Sequence, residues 1–459
     1  MDQVLGIVRM IGKQLSRWTM AWFASAVTFL VLALFLAAAG GAGPGTWSGG
    51  LALAVVHLFV LGWLCQMMLG ALIQFTPVLC ARPLAWPSLS LPSLLLSAAG
   101  TTMLAAGFLS LDGWVPGRLL LAAPAFLVAG FGLAAAMLVP TLTAAQGLRQ
   151  PEGRMVVLAL IALAGSLATG TAMAAALSGQ FLPTVIPQTL PLHILLGAGG
   201  FLSLAAFGVS YKLFAMFLLA PERDGPLRRA AFATAAAATG LTLGMAGLAL
   251  TGRTAAFPAL LAALLGAGTA ALYLADIRRL WHSRRRPQAE VNMQWSRAAL
   301  VFLALSAALL PPAFHLGGPW AEAAVFLALV GWLSTLTLAQ MIKIVAFLTW
   351  IQIFAPLIGR QPVPLVAHLS DARMTARLLG LWSLGVVLGA LSLALGQGAG
   401  FRVAALILLT AALGLGRELI AIRRLHHLDP GQRPDALPPL VRPVPLRSIP
   451  DDHSRTAGT

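Results

Sequence analysis

Apolar positions in this chain do not alternate with polar ones in a strand or surface-helix rhythm. They come instead as unbroken runs of about 20 residues, the length that an α-helix needs to cross a bilayer. Twelve such runs are centred near Leu30, Cys65, Leu96, Leu133, Leu163, Leu202, Leu241, Leu265, Leu305, Leu336, Leu388 and Leu409. Gly- and Pro-rich pieces such as GGAGPGTWSGG (40–50) and CARPLAWPSLSLP (80–92) punctuate them. The pattern predicts an all-α polytopic membrane protein of about twelve transmembrane helices.

Composition agrees. The 459 residues are 59% hydrophobic and 10% charged, with a mean hydropathy of +0.87, too apolar for a water-soluble chain. The formal charge of +16 does not mark a nucleic-acid partner, because the arginines collect at the ends of alternate runs. Arg9, Lys13 and Arg17 precede the first run, and Arg149, Arg154, Arg228, Arg229 and DIRRLWHSRRRPQ (276–288) fill later alternate connections. Arg360, Arg373, Arg377, Arg423 and Arg424 continue the series, while the opposite loops hold only Arg118, Arg253 and Arg402. The positive-inside bias then puts both termini in the cytoplasm, with the lipid bilayer of a bacterial-type inner membrane as the surroundings. Cys65 and Cys80 lie fifteen residues apart on one predicted helix, about 22 Å at the α-helical rise, so they do not pair. The N-terminus is a basic amphipathic lead-in (1–17) without a cleavage signature.

A repeat organises the runs. GWLCQMMLGALIQFTPVL (62–79), GFLSLAAFGVSYKLFAMF (200–217) and GWLSTLTLAQMIKIVAFL (331–348) align without gaps on the second, sixth and tenth runs. Gln74 aligns with Lys212 and Lys343, two of the three lysines in the chain. The spacing predicts three pseudo-repeated arcs of four helices, 18–146, 155–280 and 298–425, followed by a Pro-rich disordered tail over 429–459.

Three histidines fall near the ends of runs on the arginine-poor side: His57, His193 and His315. Ionisable groups within a span point to function, and neutral imidazole ligates iron and copper. The remaining five, His282, His368, His426, His427 and His453, read as solvated. On a 100° wheel His193 shares a face with Gly197, Gly200, Leu204, Gly208 and Tyr211, where a flat macrocycle or another helix could approach closely. His57 shares one with Leu61, Leu64, Met68 and Phe75, an apolar wall.

A twelve-helix chain in three arcs, with histidines on its second and sixth helices, resembles subunit I of the haem-copper oxidase superfamily, including its nitric oxide reductase branch. The resemblance implies that His57 corresponds to a haem ligand and His193 to a copper ligand. The sequence departs from that family where it matters most. The seventh run (227–250) has no histidine pair and the tenth (321–340) has no histidine, so the oxygen- or NO-reducing centre lacks its ligands. The expectation is a divergent relative that is not a competent terminal oxidase. It would hold one b-type haem between His57 and His193, lined by Gly197, Gly200 and Met68, or one copper on His57, His193 and His315. Its role would be electron transfer, gas or redox sensing or metal handling, with a redox partner protein or a small gas as ligand. The alternative is a transporter or channel without a redox cofactor, using the Gln74, Lys212 and Lys343 positions. No phosphate-binding loop, dinucleotide glycine pattern, CxxCH or HExxH occurs.

Overall fold

A computed structural model describes residues 17–114, 117–144, 146–221, 224–252 and 256–442. Twelve helices in it are long and apolar enough to span a membrane: α1 Thr19–Gly41, α2 Gly50–Cys80, α3 Pro87–Phe108, α4 Arg118–Thr143, α5 Pro151–Leu177, α6 Val185–Leu218, α7 Pro226–Leu250, α8 Ala259–His282, α9 Val291–Ala313, α10 Gly318–Ile353, α11 Ala372–Ala394 and α12 Gly398–Arg423. No strand occurs among the described residues. Several boundaries have evident local causes. Proline opens α5 and α7, where its missing N–H is no loss. The Asp371 carboxylate accepts from the Arg373 and Met374 N–H groups at the start of α11. These bonds hold the Asp371 carboxyl below its usual range.

Helices α5 and α9 start earlier than their apolar runs, which were expected from 155 and 298. Their first turns carry polar residues (Glu152 and Arg154; Asn292 and Gln294) that a hydrophobicity reading leaves outside the span.

The tightest pairs are α1 with α2, α3 with α4, α5 with α6, α7 with α8, α9 with α10 and α11 with α12. Contacts of α4 with α5, α8 with α9 and α12 with α1 close the ring, and α2, α6 and α10 meet one another inside it. In these three helices 67%, 61% and 83% of the most apolar stretch is buried, against 33–44% in the other nine. They therefore form the interior of the bundle.

Each inner helix carries a π-helical segment: Leu58–Cys65 in α2, Leu195–Ser203 in α6 and Leu327–Ser334 in α10. Such i→i+5 turns widen the helix and shift the register of everything beyond them. Gly62, Gly200 and Gly331 lie within these segments, and each takes a side chain of the preceding helix where a Cβ would stand: Phe29, Ala162 and Phe302. α2 and α6 also end alike, on the left-handed residues Ala81 and Leu219. Lys343 pairs with Glu290 at 2.5 Å and Gln74 bonds to Thr19 at 2.8 Å, so each side chain reaches the first residues around the start of the preceding helix.

The segment after α12 departs from the disorder expected of 429–459. Up to Arg442 it runs along the helix ends, with Arg423 donating to the Pro439 carbonyl at 2.6 Å and Arg433 to the Leu428 carbonyl at 2.7 Å. Arginine forks satisfy carbonyls of a Pro-rich backbone that has few N–H groups to place. Residues 1–16 and 443–459, which include most of the amphipathic lead-in and the end of the tail, lie outside the described residues.

Candidate functional site

His57 closes the first α-helical part of α2, immediately before its π segment. Its Nδ1 lies 2.8 Å from the Leu53 carbonyl. A carbonyl can only accept, so Nδ1 carries the proton and Nε2 the lone pair. The ring rests against Phe108 at the end of α3, with centroids 4.7 Å apart.

His193 is held from α5. Its Nδ1 lies 3.0 Å from the Ser166 carbonyl and 3.1 Å from the Thr169 hydroxyl, which again puts the proton on Nδ1. The ring packs over Gly170, where a Cβ would come within 3.0 Å of Cε1. Only the absence of that Cβ lets the imidazole come this close to α5.

Both rings are partly buried, His57 against the end of α3 and His193 against α5. Neither Nε2 has a hydrogen-bond partner among the described residues. In this tautomer the Nε2 lone pair of each ring is left to accept a hydrogen bond or to ligate a metal. The donor set fits iron or copper on two imidazoles. No group of three or more His, Cys, Asp or Glu side chains that could hold a metal occurs among the described residues.

The other residues singled out by sequence are placed differently. Gly197 and Gly200 do allow a close approach, but by α5: a Cβ would meet Ser166 Oγ at 3.2 Å and Ala162 Cβ at 2.6 Å. His193, Gly197, Gly200 and Gly208 thus share one face, as the wheel placed them, and that face receives another helix, α5. Met68 is buried eleven residues beyond His57, roughly 16 Å along the axis, so it packs in another layer. His315 lies in the last turn of the helix that contains α9, with its side chain outside the described set.

No family model matches the sequence, and no curated protein matches it. Among solved structures, a haem-copper terminal oxidase dimer determined by cryo-electron microscopy matches over 95% of this chain and 86% of the other, with a TM-score of 0.51 and 14% identity. The chain shares its fold with that oxidase. At this identity the likeness speaks for the fold and not for the chemistry.

A second region of the oxidase-like fold escaped the sequence reading. A cavity of about 130 Å³ lies between α6, α7, α8, α9 and α10, with Phe207 and Trp332 in its wall. Phe207 stacks on Tyr273 at 4.0 Å, and Tyr273 bonds to Ser210 at 2.6 Å. Beside them the buried Arg228 pairs with Glu152 at 2.7 Å and Asp276 at 3.3 Å, its guanidinium 4.0 Å from the Tyr211 ring centroid. This charge cluster ties α5, α7 and α8 together near their arginine-rich ends. The one sequence signal for the cavity was the shared small polar position three residues after each repeat glycine: Cys65, Ser203 and Ser334.

Proposed function

We propose that this is a redox-active membrane protein that holds one metal centre, the iron of a b-type haem or a copper ion, on Nε2 of His57 and His193. The observation that carries the reading is the pair of imidazoles on α2 and α6, each with Nδ1 tied to a main-chain carbonyl. A bound iron or copper would supply one-electron chemistry. The protein's own part is to fix both tautomers through Leu53 and Ser166, to seat one ring on Phe108 and the other on Gly170, and to keep both within an apolar bundle. With no histidine on α7 or α10, electron transfer, redox sensing or metal handling suits this donor set better than reduction of oxygen or nitric oxide.

The reading includes the three-arc organisation and cytoplasmic termini in an inner membrane. The first is supported by π segments, glycine contacts and helix pairings that recur every four helices. The second is supported by the arginine bias.

The test is a reduced-minus-oxidised spectrum with metal analysis of the purified protein beside His57→Ala and His193→Ala. The expected result is a Soret band, or bound copper without one, lost in both variants. A colourless wild type free of copper, or variants with unchanged spectra and metal content, would overturn the proposal.

A further inference from the structure

Three spans have their ends together on the arginine-rich face: α2 closes at Cys80, α4 closes at Thr143 and α5 opens at Pro151. Ala81 takes a left-handed conformation (φ 48°). The chain thereby turns out of α2, and the Arg82 N–H reaches back to the Pro77 carbonyl at 3.1 Å. The Ala85 N–H is then tied to the Thr141 hydroxyl of α4 at 3.0 Å. The connection from α4 to α5 is braced too, since Arg154 donates to the Leu148 carbonyl at 2.7 Å. Between these two anchored segments lies an open groove of about 580 Å³, lined by Leu79, Cys80, Arg82, Ala144, Arg149 and Gln150 among others. Arg82 and Arg149 are exposed, and neither side chain has a hydrogen bond or an ion pair among the described residues. Glu152, the carboxylate nearest to Arg149 in sequence, is taken by Arg228 at 2.7 Å.

We propose that this groove binds the phosphate head of an acidic phospholipid. Charge sets the class of ligand. The lining holds two guanidinium groups and no carboxylate, and a guanidinium matches the oxygens of a phosphate with paired N–H donors. Basic pockets between spans at a membrane surface hold lipid head groups in this way. Size agrees, since the volume falls within the roughly 300–1,000 Å³ of sites for small organic ligands. Depth chooses a lipid over a soluble phosphate ester. The groove opens where three spans end, and Val78, Trp86 and Leu148, close to its lining residues in sequence, are exposed. Tryptophan favours the membrane–water boundary, and acyl chains can cover apolar side chains that a soluble ester leaves bare. The chain's own lead-in has the wrong sign to fill the groove, with Arg9, Lys13 and Arg17 against Asp2. The groove shares no residue with the His57–His193 pair, so it stands whether or not that pair holds a metal.

The test is native mass spectrometry of the full chain in detergent, titrated with phosphatidylglycerol and with phosphatidylcholine of the same acyl chains. The wild type should bind phosphatidylglycerol more tightly. An arginine near the membrane surface is worth about 1 kcal/mol toward an anionic lipid, or about five-fold in affinity. Arg82→Gln and Arg149→Gln should each lower phosphatidylglycerol affinity by about that factor, and the double variant by more. Arg377→Gln, an exposed arginine near the start of α11, should leave it unchanged. Ala144→Phe adds bulk to an exposed wall of the groove without altering charge, and should also weaken binding. Equal affinity for the two lipids, an unaffected double variant, an unaffected Ala144→Phe, or an equal loss in Arg377→Gln would each overturn the proposal. sn-Glycerol 3-phosphate, which carries a phosphate without acyl chains, should not displace phosphatidylglycerol at equal concentration. Displacement there would give the site to a soluble phosphate ester and overturn the lipid.

Discussion

The α2–α10 contact and the α6–α10 contact are made from the same pattern of residues and have different outcomes. At the first, the Trp63 indole N–H meets the Ser334 hydroxyl and the interface is closed. At the second, the same pair of positions, Trp332 and Ser203, flanks a cavity and the indole N–H is left without an acceptor. The difference lies in the surroundings. Around the cavity α7 and α8 present Ala, Gly and Thr, such as Ala235, Ala238, Gly266 and Ala270, which do not fill the space beside Trp332. Local pattern chooses which groups could bond; the bulk of neighbouring helices decides whether they meet.

The comparison can be broken hardest at the glycines. Gly331→Leu drives a side chain into Phe302, and should cost about 1–3 kcal/mol or more of stability through overpacking. Gly199→Ala, in the cavity wall with nothing within 4 Å of the new Cβ, should change stability by no more than about 0.5 kcal/mol. Thermal unfolding of the detergent-solubilised variants reads both, and an equal loss would mean that the two glycines are packed alike.

The serines sharpen it. Ser334 accepts from Trp63 and donates to the Leu329 carbonyl, whereas Ser203 only donates, to the Ala198 carbonyl. Ser334→Ala should therefore be the more destabilising of the two alanine variants, by about 1 kcal/mol. Denaturation midpoints that coincide would argue that the Trp63 bond adds nothing.

The smallest effect concerns the arginine-rich end, where Lys343 has a carboxylate partner. Burial alone would raise the Glu290 pKa, but Lys343 and Arg286 outweigh it and hold the group below its ordinary 4.5. A folded-state pKa that is depressed gives stability that is complete above the unfolded value and is lost as pH falls through the folded one. Glu290 should therefore contribute at most about 1 kcal/mol above pH 4.5, fading below it. In Glu290→Gln the part of the stability profile below pH 4.5 should flatten. A parallel profile would remove the ion pair as a contributor.

Much of the fold was legible because the signals are local. A run of apolar residues long enough to span the bilayer forces its backbone to bond within itself, so LALAVVHLFVLGWLCQMM can hardly be anything but a helix. The Gly-aromatic-Leu series also picked out the three helices that lie innermost. Part of the site was legible as well, since histidines within apolar runs are few. Their partners were not: Leu53 and Ser166 act through main-chain carbonyls, which carry no residue-type signature. The glycine face of α6 was legible as a place of close approach, but not that α5 is what approaches it, because glycines record only missing bulk.

The sequence by itself therefore determined the number of spans, the arginine-rich ends and the positions of the two imidazoles, because each follows from residue type and chain length alone. Only the tertiary structure decided which way those imidazoles face, that Gly197 and Gly200 receive α5, and which of two equivalent tryptophans lacks an acceptor. Those outcomes depend on ångström-scale spacing between helices far apart in sequence. That spacing is set by the summed bulk of many side chains, and no local pattern records it.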